Sequence, residues 1–438
     1  MSFPSIRRTA VAVGVSAAAL SLVLTGCSSS GSSDSGSVTI SYLVDNGAAT
    51  VEAGNALIAD FQAKNPNIKV ELETRPPGAE GDNLIKTKLA TGDMNSVFQY
   101  NTGSLLKALE PDKSLVNVAD QPWVSRLDDN FKTVASTENG TYGVPTGQSS
   151  AGAIIYNKDV YAKLGLQIPK TWDEFMANNK KILDSGTAAP IAQTYGDTWS
   201  SQLFVLGDFY NVQSQDADWA KKYTENKAKF ADEPGLSGFE HLEEALKAGY
   251  FNKDYATATY DDGVRMIAKG EAAHYPILTF AASALSVNYP EAVKTVGTFP
   301  IPGKSADKNG LTVWMPSAAY IPKSTEGAEL DASKKFLDFL ATPDACKIVS
   351  EKIAPTGPFV IDGCTLPDSV PAIVSDMQPY FDEGKTGLAL EFVSPVKGPA
   401  LEQITVAVGS GITPAKQGAG QYDEDVKKQA QQLGLEGW

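Results

Sequence analysis

Few groups in this chain could act chemically on a bound molecule. There are two histidines, His241 and His274. Neither lies near a cysteine or one helical turn from the other. A zinc site needs such spacing, and a histidine-based acyl-transfer triad needs a nucleophile to match. Ser149, in Gly147-Gln148-Ser149-Ser150-Ala151, misses the strained nucleophile turn because Ala151 stands where the second glycine is required. Gly409-Ser410-Gly411 and Gly418-Ala419-Gly420 lack the third glycine of a dinucleotide loop, and no phosphate loop is present. The 52 Asp and Glu residues leave a glycosidase-type carboxylate pair open, yet among so many acids no single pair stands out. The pattern predicts no catalysis, no metal and no cofactor.

Cys27 is the residue with the clearest chemistry. Arg7-Arg8 precede an apolar run from Thr9 to Leu24. A basic head before an apolar core of roughly 15 residues is an export signal, too short to span a bilayer. The ending Leu24-Thr25-Gly26-Cys27 resembles the lipobox of bacterial lipoproteins, where the cysteine receives lipid and becomes the first mature residue. Ser28 to Ser37 is almost all Ser and Gly, a flexible tether. Residues 1–26 are thus expected to be a signal peptide and 27–37 a lipidated cysteine with its tether. The chain would hang from the extracytoplasmic face of the cell membrane. The alternative is an ordinary secreted protein with a chance cysteine at the cleavage site.

About 410 residues follow the signal, too many for one compact core, which predicts two lobes. No later apolar run approaches the ~20 residues of a membrane span. The net charge of −15 becomes −17 once the two positive charges of Arg7 and Arg8 are removed, which argues against nucleic acid as a partner. Cys346 and Cys364 remain after lipidation of Cys27. In an oxidising compartment an even pair predicts one disulfide; two free thiols are the alternative.

The elements that must position any site begin with a βαβαβ pattern. Val38, Ile40 and Tyr42 alternate as a strand, and Leu57, Ile58 and Phe61 lie at helical spacing before Pro66. Ile68, Val70 and Leu72 alternate again, Leu84 to Leu89 is helical up to Gly92, and Val97-Phe98 opens a third strand. This favours a mostly parallel sheet covered by helices. The pattern restarts after Pro145. Ala153 to Tyr156 reads as a strand, and Thr171-Trp172-Asp173-Glu174 as a capping box. Helices are expected around Trp199 to Leu206, Phe239 to Leu246 and Tyr260 to Lys269. Val296 to Phe299 and Ala318 to Ile321 read as strands, and the last third is mainly helical.

These segments carry a resemblance. Leu89-Ala90-Thr91-Gly92-Asp93 with Asn95-Ser96-Val97-Phe98 resembles a segment of the extracellular solute-binding proteins of family 1, the maltose-binding-protein-like sugar-binding components of ATP-driven importers. Tyr142-Gly143-Val144-Pro145, Ile155-Tyr156-Asn157-Lys158-Asp159, Thr171 to Phe175, Lys269 to Ala273, Phe299 to Gly303, Tyr320 to Ser324 and Phe336 to Leu340 are similar to further family segments, in the same order. The resemblance implies an α/β, two-lobe periplasmic-binding-protein-like fold (type II) with ligand between lobes joined by crossing strands. The N-terminal lobe would hold 38–145 plus 316–355, and the C-terminal lobe 146–315 plus 356–438. Crossings are expected near Pro145-Thr146-Gly147, Leu311 to Met315 and Ala354 to Gly357. Two departures stand out. Ser96 replaces an acid, whose structural role is then lost. Tyr275 to Phe280 stands where many members carry a Gly-x-Trp, so a stacking ring there is lost unless Tyr275 or Phe280 substitutes.

Ligands of open α/β sheets bind outside the carboxyl ends of strands. A sugar needs flat rings for its C–H faces and side chains that exchange hydrogen bonds with its hydroxyls. The expected contacts are therefore Asp45 and Asn46, then Gln99, Tyr100 and Asn101, then Gln148, Asp197, Trp199, Tyr275 and Trp314. Trp172 reads as helix-start packing, and Asn157-Lys158-Asp159 as a structural turn. The expected function is sugar capture by hinge closure without catalysis, and delivery to importer permease subunits by a monomer. The alternatives are an exported carboxylate-dependent polysaccharide hydrolase, or a binder of a non-sugar solute such as a peptide or polyamine.

Overall fold

The computed structural model describes residues 37–76 and 78–438. The expected signal peptide, Cys27 and all of the tether except Ser37 lie outside the described residues. Among the described residues, no helix is long and apolar enough to cross a membrane.

The strands that build the two main sheets are β1 (Val38–Asp45), β2 (Ile68–Arg75), β3 (Val97–Tyr100), β4 (Gly143–Pro145), β5 (Ser150–Asn157), β6 (Ala189–Ile191), β7 (Ala272–Leu278), β8 (Val296–Phe299), β9 (Leu311–Trp314), β10 (Ala318–Tyr320) and β11 (Thr386–Leu388). One sheet has the order β2-β1-β3-β10-β4. The other has β11-β9-β5-β7-β6, with β8 also on β5. Each is the spine of one lobe.

In the first lobe Ile40, Tyr42 and Val44 alternate on one face of β1, and helix α1 (Ala48–Lys64) covers them with Leu57, Ile58 and Phe61. Both β2 and β3 run parallel to β1, as the βαβαβ pattern predicts. Helix α2 (Gly78–Thr91) links them. The chain returns late to this lobe. Strand β10 pairs antiparallel with both β3 and β4, and the following helix carries Phe336 against Tyr42 and Phe61. Ser96 makes structural contacts of its own. Its hydroxyl donates to Glu329 and accepts from the Ser41 N–H at 2.9 Å, so the acid of that contact comes from a distant helix.

The second sheet corrects the expectation of a mostly parallel arrangement. Strand β5 runs antiparallel to β7, β8 and β9. Apolar alternation reports a strand and its two faces but not its direction. Here β5 leaves the edge where the chain enters the lobe, while β7 and β9 run back to it. Helix α3 (Trp172–Ser185) starts as read: Thr171 Oγ1 accepts from the Glu174 N–H, and Glu174 reaches back to the Lys170 N–H at 2.7 Å. The helix expected at Trp199 is instead a 3-10 turn, Thr198–Gln202, continued by Leu203–Leu206. Helices α4 (Ser237–Lys247) and α5 (Tyr260–Lys269) match expectation, and two C-terminal helices, Leu401–Gly409 and Ala415–Gln432, close the core around Phe239 and Tyr422.

Three segments join the lobes: 146–149, 315–317 and the stretch after Lys352. They are bonded to one another. The Thr146 N–H and hydroxyl both donate to the Ser317 carbonyl at 3.0 Å. The Ser149 N–H and hydroxyl both donate to the Pro358 carbonyl at 2.9 Å. Cys346 and Cys364 are joined as a disulfide with Cα atoms 5.7 Å apart, which ties the third segment to the first lobe. Closing an 18-residue separation should contribute about 3 kcal/mol by the chain-entropy argument. Reduction, or Cys346→Ser with Cys364→Ser, is expected to lower unfolding free energy by about that amount in denaturant titration.

Both histidines are buried in the second lobe and predict a pH signature. His274 Nε2 accepts from the Tyr161 hydroxyl at 2.7 Å, and Nδ1 lies 2.9 Å from the Asn179 Oδ1 and Pro190 carbonyl oxygens, so Nδ1 carries the hydrogen. His241 stacks on Trp172, with ring centroids 3.8 Å apart, and lies beside the buried Asp208. Burial holds both imidazoles down at about 3 and pushes Asp208 up to about 8. The histidines therefore cost stability as pH falls below about 6.5, their unfolded value. Asp208 costs stability as pH rises from about 3.9 toward its folded value. Two protons against one leave a net loss on the acid side, while Asp208 alone acts from about 6.5 upward. Unfolding free energy is thus expected to peak near pH 6.5, and Asp208→Asn should flatten the fall between there and pH 8. A pH series of urea titrations checks this; an unchanged alkaline limb in the variant refutes the assignment.

Candidate functional site: the gap between the two sheet edges

Strand direction decides which loops face each other. β1 and β2 end together, with Asp45 opposite Arg75, and β3 runs parallel to them. Tyr100 and Pro145 both pair with Ala318, beside the first two joining segments. In the second sheet Trp314 pairs with Ser150, and Leu278 with Gly152. β6 runs parallel to β7 and so ends at the same edge. The loops after β1, β2 and β3 therefore face those after β6, β7 and β9 across the joining segments, the general place for ligands of open α/β sheets.

The first edge is polar. Asp45 is half-buried and its Oδ1 accepts from the Gly47 N–H at 2.9 Å, while Asn46 is exposed. Gln99 donates through Nε2 to Thr146 Oγ1 at 2.8 Å, and its Oε1 is enclosed without a partner among the described residues. The Asn101 carbonyl accepts from the Tyr320 hydroxyl at 3.2 Å. Tyr100 is the exception: its ring is fully buried, and burial together with the Asp82 carboxylate pushes its hydroxyl up to about 12. It offers no open face for stacking. Gln148, on the first joining segment, is half-buried, with Nε2 enclosed and unpartnered among the described residues.

The second edge is aromatic. Trp199, Tyr260 and Phe280 are each half-buried and lie 5.6–5.8 Å apart, centroid to centroid, with tilts of 35–46°. Asp197 fixes this group: its Oδ2 accepts from the Tyr260 N–H at 2.6 Å, binding the 3-10 turn to the start of α5. Asp197 is thus engaged with backbone. Tyr275 is not at the edge. It is 1% exposed and its hydroxyl lies 2.8 Å from Thr194 Oγ1 in the lobe interior, whereas Phe280 is half-buried beside Trp199. The cause is strand parity, which turns Tyr275 toward α5, where it packs against Gly263. Trp314 is half-buried; its Nε1 donates to Glu391 Oε1 at 2.8 Å and its ring lies against Gly152. Trp172 packs at the start of α3, as read.

Arg75, Tyr260 and Thr146 were missed by the sequence reading. Tyr260 sits far from Trp199 in the chain, and the Asp197 contact together with the Gly196 N–H donating to the Ala258 carbonyl at 2.9 Å brings them together. A small apolar cavity of about 60 Å³ lies behind Gln99 and Thr146, lined by Tyr42, Leu57, Val349 and Phe359. It does not reach Trp199, Tyr260 or Phe280 and would hold little more than water.

The model of the bacterial extracellular solute-binding protein family matches residues 45–346. The chain belongs to this family. It is 26% identical over 333 residues to the multiple sugar-binding protein of Streptococcus mutans, covering 74% of this chain and 76% of that one. It is 23% identical over 350 residues to the melibiose/raffinose/stachyose-binding protein MelE of Bacillus subtilis, covering 75% and 76%. The apo-form of RafE from Streptococcus pneumoniae shares the fold, with a TM-score of 0.75 at 21% identity over 91% of this chain and 100% of that one.

Proposed function

We propose that this protein is a lipid-anchored, extracytoplasmic carbohydrate-binding component of an ATP-driven importer. The observation that carries this reading is the half-buried Trp199–Tyr260–Phe280 platform facing a polar edge of Asp45, Asn46, Gln99, Asn101 and Gln148 across the joining segments. Rings take the C–H face of a pyranose, and amide and carboxylate groups exchange hydrogen bonds with its hydroxyls. The two sequence relatives above are named for sugar binding, which favours sugar over peptide or polyamine.

Residues 38–145 with 316–355 and residues 146–315 with 356–438 act as the two halves. A ligand touching both favours the closed form, a population shift expressed as hinge motion. Lipid on Cys27, with the tether, keeps the protein near the permease subunits and raises its effective concentration there. The protein works as a monomer and does not alter the sugar.

Thermal shift against an oligosaccharide panel, followed by chromatography of the recovered sugar, tests this. The expected result is a raised Tm with sugar returned intact. New reducing ends support the hydrolase instead, and a shift with peptides or polyamines alone supports the non-sugar solute. Cys27→Ala is expected to release the protein from membranes; retention there defeats the lipid anchor.

A further inference from the structure

Resting on the carbohydrate reading, Arg75 narrows it. This residue ends β2 at the edge facing the second lobe and is 7% exposed. Its Nη1 donates to the Pro76 carbonyl at 3.1 Å and its Nη2 to the Gln99 carbonyl at 3.5 Å, and the guanidinium lies 5.8 Å from the Tyr100 ring centroid. Nε is enclosed with no partner among the described residues. No carboxylate of the described residues pairs with it, whereas Arg265 pairs with both Asp262 and Glu271. The nearby acids are otherwise placed. Asp45, its neighbour in register, turns Oδ1 to the Gly47 N–H, and Asp82 acts on the Tyr100 hydroxyl.

Arginine stays protonated at any ordinary pH. A buried cation without a counter-charge is costly, and carbonyl oxygens offset this only in part. The end of β2 therefore lacks a directly paired negative charge among the described residues, at the place where ligand is expected. We propose that the ligand supplies it: the solute is a saccharide bearing an acidic group, a uronate carboxylate or a sulfate ester, held at Arg75 while its neutral ring lies on the Trp199 platform. Guanidinium geometry suits either oxyanion.

Titration calorimetry on the mature protein tests this with matched pairs: oligogalacturonides and oligoglucuronides against their neutral counterparts, and sulfated against unsulfated forms of the same sugars. The expected result is tighter binding of one acidic class by at least about tenfold, with Arg75→Met bringing the pair to within about threefold. The carboxylate and sulfate arms identify the group. Equal or tighter binding of the neutral member overturns the proposal and leaves the carbohydrate reading standing. Binding of neither member overturns both. The comparison on the unaltered protein decides even if the variant does not fold.

Discussion

Replacing Trp199 with alanine is expected to weaken ligand binding by at least tenfold while leaving thermal stability nearly intact. The indole is half-buried and touches Tyr260 and Phe280 without belonging to the sealed interior of the lobe. On binding, a sugar ring would cover its remaining face. Truncating an aromatic anchor that is desolvated on binding typically costs about 2 kcal/mol or more, roughly 30-fold in affinity. The folded state alone loses only a partial contact, so Tm should move by a few degrees at most. Tyr275→Phe supplies the contrast: it removes the Thr194 contact inside the lobe and should leave affinity unchanged. Calorimetry on the three proteins with a ligand from the panel measures both effects. Unchanged affinity in Trp199→Ala removes that ring from the site.

Phe336→Ala is expected to give the largest loss of stability, about 3–5 kcal/mol, in the range of aromatic truncations in sealed cores. Phe336 is fully buried, with Tyr42 at 5.2 Å and Phe61 at 5.0 Å in edge-to-face contact and Phe339 at 6.4 Å. The location of the loss matters as much as its size. The helix carrying Phe336 lies beyond the second joining segment, yet its contacts are with β1 and α1 at the start of the chain. Faster amide exchange should therefore appear in Val38–Lys64 before it appears in α4 or the C-terminal helices. Denaturant titration gives the magnitude and exchange gives the place. Loosening confined to the second lobe would count against a first lobe assembled from both ends of the chain.

Much of this architecture was readable without coordinates, for reasons that particular residues make plain. The alternation of Val38, Ile40 and Tyr42 against the helical spacing of Leu57, Ile58 and Phe61 is a local signal, and the parallel pairing of β1 with β2 follows from the helix between them. Thr171 and Glu174 announce a helix start because capping satisfies N–H groups within one turn. Three readings failed where the deciding contact is distant. Tyr275 was taken for an edge residue because its strand parity depends on pairing with β5. Tyr100 was expected to touch ligand, yet its ring is sealed where β3 pairs with the distant β10. The second sheet was expected to be mostly parallel because strand direction leaves no trace in composition.

What the amino-acid order settled by itself was the α/β elements with their caps and the even cysteine pair. All depend on neighbours within a few turns of chain. Among the described residues, the tertiary structure alone decided that Trp199, Tyr260 and Phe280 form one aromatic group, that Gln99 Oε1 and Gln148 Nε2 are enclosed without partners, and that Arg75 is buried with no directly paired carboxylate. Those properties arise where the ends of separate strands meet, and burial and pairing there are set by segments far apart in the chain.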